Sequence, residues 1–290
     1  MNMSKFLKKY EGALKGKTVA MTGCTGGIGK ELCRYILALG GALLMIDRNP
    51  KKALLLQKEL KAQFPNAKIM RITADMQDTS SVLAAGEEIK AEKPDILVHN
   101  AGAYKIPRTI TEYGYDNVFS INFISPYILT KELIDTVERI VVVGSIAHNY
   151  SKTDEADIDF RKRTASSLVY GNAKRYLMYS HFELLKNHPE VSLAVTHPGI
   201  TLTGITAHYP KWLYVIIKPL MRVLFMKPKY AALSILSGLF QNTEPYSWIG
   251  PRFFGIWGAP KKAKLKTARP CEIKKIAENA EKIAEFVRKA

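Results

Sequence analysis

A tyrosine and a lysine four residues apart, Tyr170 and Lys174, have the types and spacing that acid–base chemistry needs. On a helix, residues at this spacing lie on the same face. A phenol with a pKa of about 10 is a poor base at neutral pH, but a neighbouring ammonium group favours its deprotonated form. Ser145 follows an apolar run and could hold a substrate oxygen by a hydrogen bond. Taken alone, the pair is common by chance, and a serine at the end of a strand is also an ordinary turn residue.

A glycine-rich stretch, Thr22-Gly23-Cys24-Thr25-Gly26-Gly27-Ile28-Gly29, lies between an apolar run and a helical pattern. Glycines permit a tight turn and let a pyrophosphate approach the free amides at a helix N-terminus, where the dipole favours anions. After the first strand of an alternating pattern, such a stretch predicts a dinucleotide site. The residues expected to bind the cofactor here are Gly23, Thr25, Gly26, Gly27, Ile28 and Gly29.

Asp47 follows Gly29 by 18 residues and ends the next apolar run. A carboxylate there can accept hydrogen bonds from both ribose hydroxyls of NAD. The same charge would repel the 2′-phosphate of NADP. Arg48 acts in the opposite sense, because a neighbouring guanidinium group commonly accommodates that phosphate. Asp47 also fits a helix cap before Pro50, a role that can coexist with ribose binding. We therefore predict NAD as the favoured cofactor, with NADP as the alternative.

Apolar runs of strand length alternate with helical patterns through most of the chain, which predicts a parallel sheet with right-handed crossovers. The runs are rich in Val, Ile and Leu, as expected when helices cover both faces. The predicted fold is α/β, a doubly wound parallel sheet (Rossmann fold) of about seven strands, with its site at the carboxyl ends of the strands. The predicted strands are Lys17–Met21, Ala42–Ile46, Lys68–Thr73, Asp95–His99, Arg139–Val143, Val191–Thr196 and Arg252–Trp257.

Length and composition restrict the class of protein. A chain of 290 residues with 47% hydrophobic content can bury one doubly wound core, so a single domain is predicted over 1–290. Three cysteines give no disulfide framework and fit a reducing compartment, which favours a cytoplasmic protein, with a location peripheral to a membrane as the alternative. No run of about 18 apolar residues predicts a membrane span. No cluster of His, Cys and Asp has metal-ligand spacing, so no metal is expected.

The net charge of +17 favours anionic partners such as a dinucleotide, an acidic membrane surface or nucleic acid. The basic residues are dispersed without a nucleic-acid-binding motif, so a solvated basic surface is the preferred interpretation and no nucleic acid is expected. An apolar pattern with basic residues at Lys211–Met226 could cover a hydrophobic substrate or contact a membrane peripherally, although packing on its own core or in a homo-oligomer is favoured. A C-terminal docking helix is predicted over 268–289.

Together the motifs resemble the short-chain dehydrogenase/reductase family over nearly the whole chain, beginning with its Thr-Gly-x-x-x-Gly-x-Gly. Three further segments resemble its adenine-contacting dipeptide, its Asn-Asn-Ala-Gly motif and its nicotinamide-end segment: Asp75-Met76, His99-Asn100-Ala101-Gly102, and Pro198-Gly199-Ile200 followed by Thr203. The resemblance implies that cofactor binding also involves Asp75, Met76, Asn100, Ala101, Gly102, Tyr170, Lys174, Pro198, Gly199, Ile200 and Thr203.

The resemblance also implies a catalytic set of Asn122, Ser145, Tyr170 and Lys174, in which Asn122 anchors a water for proton relay. The implied activity is an NAD(P)-dependent oxidoreductase that interconverts an alcohol and a carbonyl by hydride transfer, with Tyr170 as acid/base. Three alternatives stay open: an epimerase or dehydratase on the same fold, a non-enzymatic dinucleotide-binding sensor, and a peripheral membrane or nucleic-acid binder.

Two departures from the family pattern refine this assignment. Gly23, Gly26 and Gly29 also fit the glycine spacing of the family's nucleotide-sugar epimerase branch. The stretch between Ser145 and Tyr170 is about twice as long as is usual in the family. That stretch resembles the retinol-dehydrogenase-like subgroup, which implies a hydrophobic alcohol or carbonyl substrate, with 203–245 as the substrate-binding lobe.

Overall fold

The computed structural model describes residues 3–163, 165–201, 225–267 and 269–289. Its strands are β1 (Thr18–Thr22), β2 (Ala42–Asp47), β3 (Ile69–Thr73), β4 (Ile96–His99), β5 (Arg139–Val143), β6 (Ser192–Thr196), β7 (Ser247–Phe253) and β8 (Trp257–Lys264). Within the described ranges they form one sheet in the order β3-β2-β1-β4-β5-β6-β7-β8. Neighbouring strands are parallel from β3 through β7, whereas β8 is antiparallel to β7.

The helices are α1 (Met3–Lys8), α2 (Gly27–Ala38), α3 (Pro50–Gln63), α4 (Thr79–Ala91), α5 (Asn117–Phe119), α6 (Ser125–Leu133), α7 (Ser166–Leu184), α8 (Pro228–Gly238) and α9 (Pro270–Lys289). A π-helical turn, Ser120–Ile124, joins α5 to α6, and 3₁₀ turns lie at Ile146–Tyr150 and Leu185–Asn187. Within the described ranges, no helix combines the length and the apolar character that crossing a bilayer requires.

Two apolar cores cover the two faces of the sheet. One core includes side chains of α2, α3 and α8, and the other includes side chains of α4, α6, α7 and α9. Successive residues of β1 alternate between them: Val19 and Met21 lie in the first core and Ala20 in the second. The prediction of a doubly wound α/β fold is therefore confirmed, because strands buried on both faces must be apolar throughout.

Six of the predicted strands agree with the observed bounds to within one residue at each end. The seventh, Arg252–Trp257, is wrong, because a hairpin turn lies inside it: β7 ends at Phe253 and β8 begins at Trp257. Phe254 and Gly255 make the turn with positive φ angles of 53° and 69°. The aromatic residues around the turn hid it, since turns are usually marked by small or polar residues.

The order of β1 to β6 reverses direction between β1 and β4, and the carboxyl ends of these strands border a crevice at that point. The glycine-rich stretch follows β1, and the segments at Asn100 and Ser145 follow β4 and β5. Residues 202–224 lie outside the described residues; they contain Thr203 and most of the predicted helix Lys211–Met226. A long helix, α9, lies where the C-terminal helix was predicted.

Candidate active site

The glycine-rich turn between β1 and α2 packs too closely to admit side chains at two positions. A Cβ atom at Gly29 would lie 2.2 Å from the carbonyl oxygen of Gly23. Gly23 itself has a φ of 73°, and a Cβ atom there would lie 2.9 Å from Cα of Ala101. The two glycines therefore fix the shape of the turn and its contact with the end of β4.

The turn leads directly into the N-terminus of α2, which begins at Gly27. The preceding residue, Gly26, has no side chain to cap the helix. The first amides of a helix lack intrahelical partners, and the helix dipole makes this end favourable for an anion. The backbone of this turn can therefore hold a phosphate group.

A cavity of about 500 Å³ lies beside the turn. Its wall contains the cofactor residues predicted in the first half of the chain: Gly23, Thr25, Gly26, Gly27, Ile28, Gly29, Asp47, Arg48, Asp75, Met76, Asn100, Ala101 and Gly102. Five other predicted cofactor residues are described but are not part of this wall: Tyr170, Lys174, Pro198, Gly199 and Ile200. Thr203 lies outside the described residues.

Asp47 is almost fully buried in this wall at the end of β2. Its Oδ1 accepts hydrogen bonds from the backbone N (3.0 Å) and Oγ1 (2.8 Å) of Thr25. Its Oδ2 is buried with no hydrogen-bond partner among the described residues. Burial raises the pKa of this carboxyl group, against the hydrogen bonds from Thr25 that lower it. One oxygen thus holds the turn, while the other has hydrogen-bonding capacity that the described residues do not use.

The cavity fits a dinucleotide on three of its own features: the uncapped helix N-terminus, the close-packed glycines and the unpartnered Asp47 Oδ2. Arg48 and Lys52 lie on the same wall, so it also carries two cationic side chains. Sequence reasoning missed Lys52. Lys52 lies in the first turn of α3, whereas Arg48 precedes the helix, so only the cluster of basic residues around Pro50 could have indicated it.

Asn100 serves mainly to hold the turn in place. Its Nδ2 donates to the carbonyl oxygens of Thr22 and Gly23, both at 3.0 Å, and its backbone N donates to Oγ1 of Thr22 at 3.1 Å. The backbone N of Ala101 donates to the same hydroxyl at 3.0 Å. These bonds join the ends of β1 and β4, so the shape of the cavity depends on contacts between segments distant in sequence.

Asn122 lies in the π-helical turn between α5 and α6 and is fully buried. Its Nδ2 donates to the carbonyl oxygens of Ala103 and Val118, each at 2.8 Å, and its Oδ1 accepts a longer bond from Ala103 N at 3.3 Å. A π-turn displaces the side chains of a helix and is frequent at functional sites. Here it directs Asn122 towards the segment after β4, where a Cβ atom at Gly102 would lie 2.8 Å from its Oδ1.

Tyr170 and Lys174 lie on the same face of α7, one turn apart. The Nζ of Lys174 is 5.7 Å from the centre of the Tyr170 ring and donates to the carbonyl oxygen of Val143 at 2.9 Å. The Ser145 side chain lies close enough to Tyr170 to lower the pKa of its phenol, and Ser145 Oγ accepts a hydrogen bond from Ala147 N at 3.2 Å. A Cβ atom at Gly102 would lie 3.5 Å from Lys174 Nζ. The structure thus brings these three side chains together beside Gly102, although a long loop separates Ser145 from α7.

Burial dominates the electrostatics of this pair. It raises the pKa of Tyr170 to about 12, although the neighbouring Ser145 side chain lowers it. Burial also lowers the pKa of Lys174 to about 7, because a low-dielectric site disfavours the ammonium form. The sequence predicted that Lys174 lowers the pKa of Tyr170. The opposite net shift holds, because desolvation of the phenol outweighs the lowering of its pKa by Ser145.

Two histidines flank the same edge of the sheet. His148 Nδ1 lies 2.7 Å from the carbonyl oxygen of Ser145, and His197 Nε2 lies 3.0 Å from that of Gly255. Both rings pack on Trp248, with centroid distances of 5.1 and 4.7 Å. The second ring nitrogen of each histidine is buried without a partner among the described residues. Burial lowers the pKa of His148 to about 4 and that of His197 to about 3, so both are neutral at physiological pH.

Arg175, which sequence reasoning also missed, is buried next to Lys174 on α7. Its Nε donates to Oε1 of Glu272 at 3.0 Å, and its Nη1 donates to the carbonyl oxygen of His148 at 3.0 Å. Glu272 Oε1 also accepts from the backbone N and Oγ1 of Thr153, both at 3.0 Å. The only sequence signal was a basic residue beside Lys174. Its acidic partner, Glu272, lies on α9 and is distant in sequence, although the two side chains are in contact in the fold.

Tyr104 is a further residue of the cavity wall that the sequence did not indicate. Its ring lies 5.2 Å from the ring of Tyr170. Ile106 lines the same wall and packs beside Tyr170 with Val118 and Phe160. This end of the cavity is therefore aromatic and aliphatic, which suits an apolar ligand.

Comparison with known proteins supports these observations. A family model described as short chain dehydrogenase matches residues 17–156. Retinol dehydrogenase 12 of Mus musculus is 29% identical over 269 residues, which are 88% of this chain and 84% of that protein. Human retinol dehydrogenase 13 is 26% identical over 205 residues, covering 67% of this chain and 62% of that protein.

Solved structures share the fold. An uncharacterized protein from Mycobacterium paratuberculosis superposes with a TM-score of 0.72 at 22% identity, covering 97% of each chain. The NADPH-dependent 3-quinuclidinone reductase from Rhodotorula rubra superposes with a TM-score of 0.60 at 17% identity, covering 82% of this chain and 90% of that one. At such identities the likeness extends to the fold alone.

Proposed function

The chain belongs to the short-chain dehydrogenase/reductase family, and we propose that it is an NAD(P)-dependent oxidoreductase in which Tyr170 acts as acid/base between an alcohol and a carbonyl. One arrangement supports this proposal most directly. Tyr170 and Lys174 meet Ser145 beside Gly102, at the end of a cavity suited to a dinucleotide. A non-enzymatic sensor has no use for a partly buried phenol at that point.

In the oxidative direction Ser145 would donate a hydrogen bond to the substrate oxygen, and the Tyr170 oxygen would accept the hydroxyl proton. In the reductive direction Tyr170 would return that proton to the carbonyl oxygen. An oxidised nicotinamide, when bound, supplies the hydride acceptor and a positive charge that favours the phenolate. Lys174, whose Nζ lies close to the Tyr170 ring, supplies a second cation whenever it is protonated.

Asn122 would position other groups of the site and would not itself exchange a proton with the substrate. Its amide nitrogen already donates to the carbonyl oxygen of Ala103, in the segment after β4, and to that of Val118 in α5. Its Oδ1 accepts one long hydrogen bond and keeps the capacity to accept another from a relay water. We propose that Asn122 both shapes the site and anchors that water.

We propose NAD as the preferred cofactor because Asp47 Oδ2 is an unpartnered acceptor in the cavity wall. A ribose diol would satisfy this oxygen, whereas a 2′-phosphate would place a second negative charge beside it. Arg48 and Lys52 reduce that penalty, so NADP is expected to bind more weakly and not to be rejected outright.

The substrate is proposed to be a hydrophobic alcohol or carbonyl compound. The relatives named retinol dehydrogenases suggest the class of long apolar primary alcohols and their aldehydes. Tyr104 and Ile106 in the cavity wall, with the buried Phe160 packed in the same apolar cluster as Ile106, suit such an apolar substrate. We also propose that the chain is one domain over 1–290 and that 203–245 complete the substrate side.

Replacement of Tyr170 by Phe tests the proposal. It removes the proton donor and acceptor but keeps the ring, so turnover is expected to fall about 10²–10⁴-fold while the cofactor Kd changes little. Turnover is followed by absorbance at the nicotinamide band with long-chain alcohols and aldehydes, using NAD and NADP in turn. Cofactor binding is measured separately by calorimetry.

Tyr104→Phe provides the matched control, because it removes a phenol hydroxyl from the cavity wall beside Tyr170. Turnover of this variant is expected to fall by about tenfold at most, as for a single neutral hydrogen bond. Substantial turnover by the Tyr170 variant, or equal losses in both variants, would contradict the assignment of Tyr170.

A further inference from the structure

The tip of the β7–β8 hairpin exposes apolar surface that the proposed chemistry does not use. We define the hairpin tip as Phe253-Phe254-Gly255-Ile256-Trp257. Phe254 is 84% exposed and Phe253 is 57% exposed. Phe253 pairs with Trp257 across the hairpin, so their side chains share one face of the ribbon. Aromatic rings are unusual at a turn, where polar residues and glycine are usual.

The backbone at the tip does not explain these rings. Phe254 has a φ of 53°, a conformation that bulky side chains rarely adopt and that Asn or Gly adopts at lower cost. An aromatic residue here costs backbone strain and exposes apolar area to water. A contact with something outside the described part of this chain would compensate both the backbone strain and the exposed apolar area.

The hairpin that carries the tip is strongly cationic. Ser247–Lys264 contains Arg252, Lys261, Lys262 and Lys264 and no acidic residue. None of the four cations forms a salt bridge with another described residue. The side chains of β8 are mostly exposed. The hairpin thus combines apolar rings at its end with unpaired positive charge along its length.

The hairpin tip lies at the edge of the sheet that carries the candidate active site. Because β7 is parallel to β6, its end lies at the same edge as the ends of β1, β4 and β5. Gly255 accepts a hydrogen bond from His197 through its carbonyl oxygen. A Cβ atom at Gly199 would lie 2.7 Å from the carbonyl oxygen of Ile256. The tip therefore packs on the rim of the site.

We propose that the hairpin tip inserts into the surface of an anionic lipid bilayer. Aromatic side chains are favoured in the interfacial layer of a membrane, and flanking lysines are attracted to acidic headgroups. The complementarity in charge and the apolar end together favour this occupant. The proposal concerns where the protein docks, and it holds independently of the reaction that Tyr170 supports.

A second copy of this chain fits the hairpin tip less well. Two such hairpins would bring like charges together without an acidic partner in either ribbon. β8 is also an edge strand that carries Pro260 and three lysines, which are features that oppose pairing between sheet edges. The same residues that disfavour a dimer at this surface favour an acidic membrane.

Co-sedimentation with vesicles tests the proposal on the full chain. Vesicles of phosphatidylcholine alone are compared with vesicles of equal parts phosphatidylcholine and phosphatidylserine. Binding is expected to the acidic vesicles, and it should weaken as salt is added. Phe254→Asn is expected to reduce the partition coefficient about tenfold through the loss of buried apolar area. The double variant K261Q/K262Q should reduce it by about tenfold or more, because each lysine adds attraction to the surface.

Matched controls lie on α9, away from the hairpin. Phe286→Asn removes another exposed aromatic ring, and K274Q/K282Q removes two exposed lysines. Both controls should bind the acidic vesicles within about twofold of the natural chain, apart from the general effect of net charge. Phe254→Asn should also unfold in urea no earlier than the natural chain, because Asn fits the positive φ better.

Three results would overturn the proposal. The first is no binding to the acidic vesicles at low salt, and the second is binding that the hairpin and control variants reduce equally. The third is a hairpin-dependent change in sedimentation velocity mass, or in the retention of a DNA duplex, without any change in vesicle binding. That result would assign the surface to a second copy or to nucleic acid. None of these measurements depends on enzyme turnover. The test of the hairpin tip therefore remains valid even if the proposal for Tyr170 fails.

Discussion

Two neighbouring residues of α7, Lys174 and Arg175, are both buried basic residues, but among the described residues only Arg175 is paired with a carboxylate. Lys174 faces the candidate active site, and its Nζ donates one hydrogen bond, to a backbone carbonyl. Arg175 faces away into what we call the bracket, formed by Arg175, Glu272 and Thr153. Every part of the bracket is paired: the guanidinium group meets a carboxylate and two backbone carbonyls.

The same contrast extends to other groups near the candidate active site. Asp47 Oδ2 and one nitrogen each of His148 and His197 are buried without partners among the described residues. A buried polar group without a hydrogen bond destabilises the folded chain. Unpaired groups are therefore expected where a ligand completes them, and paired groups where the fold itself needs them. Four other buried atoms also lack partners among the described residues, in His99, Asn117, Ser120 and Asn172, so an unpaired group indicates ligand binding only where it also lies beside the site.

The largest effect is expected from breaking the bracket. Arg175→Met leaves the Glu272 carboxylate part-buried without its cation, and loss of one partner of such a pair costs about 3–5 kcal/mol of unfolding free energy. The double variant R175M/E272M should recover much of this loss, because no unpaired charge remains. Urea unfolding followed by circular dichroism measures both. A single variant within about 1 kcal/mol of the natural chain would contradict the assigned role of the bracket.

Lys174→Met should have the opposite effect on stability. Burial holds the Lys174 pKa near 7 in the folded chain, below its ordinary value of 10.5. Between these values the unfolded chain binds the proton and the folded chain does not, so stability from this group rises with pH from about 7 to about 10.5. The Met variant should lack this rise and be at least as stable below pH 7, while turnover falls strongly. A stability profile unchanged by the substitution would show that Lys174 is not desolvated.

Asp47→Ala tests whether the unpartnered carboxylate oxygen binds the cofactor, and its effect on cofactor affinity should be the smallest of the expected effects. It removes the unpartnered oxygen, so the Kd for NAD should rise about tenfold, the cost of roughly one charged hydrogen bond. The Kd for NADP should change less, because the repulsion of its 2′-phosphate disappears too. Calorimetry with each cofactor measures the difference.

Thr25→Ala is the matched control for Asp47→Ala. It removes the hydroxyl that donates a hydrogen bond to Asp47 Oδ1, and it leaves the carboxylate in place. This variant should weaken both cofactors by similar factors, since it loosens the turn without changing its charge. If Asp47→Ala also weakened NAD and NADP equally, the preference for NAD would be wrong.

Local features of the sequence were sufficient to predict much of the fold. Apolar runs gave the parallel strands, because a strand buried on both faces can contain few polar residues. The glycine spacing indicated the turn before α2, where a Cβ atom at Gly29 would overlap a backbone oxygen. Asp47 could be identified because it ends the second run. The hairpin turn at Phe254 was missed, since a strained aromatic residue gives none of the usual turn signals.

The sequence by itself determined which groups could do chemistry and on which elements they lie. Only the tertiary structure decided how each group is solvated: that Lys174 is buried without a carboxylate, that Arg175 is paired with Glu272 from α9, and that burial raises the Tyr170 pKa. The reason is physical. A residue's type and spacing are local properties, whereas its desolvation and its partners depend on segments that meet only when the sheet and its helices pack together.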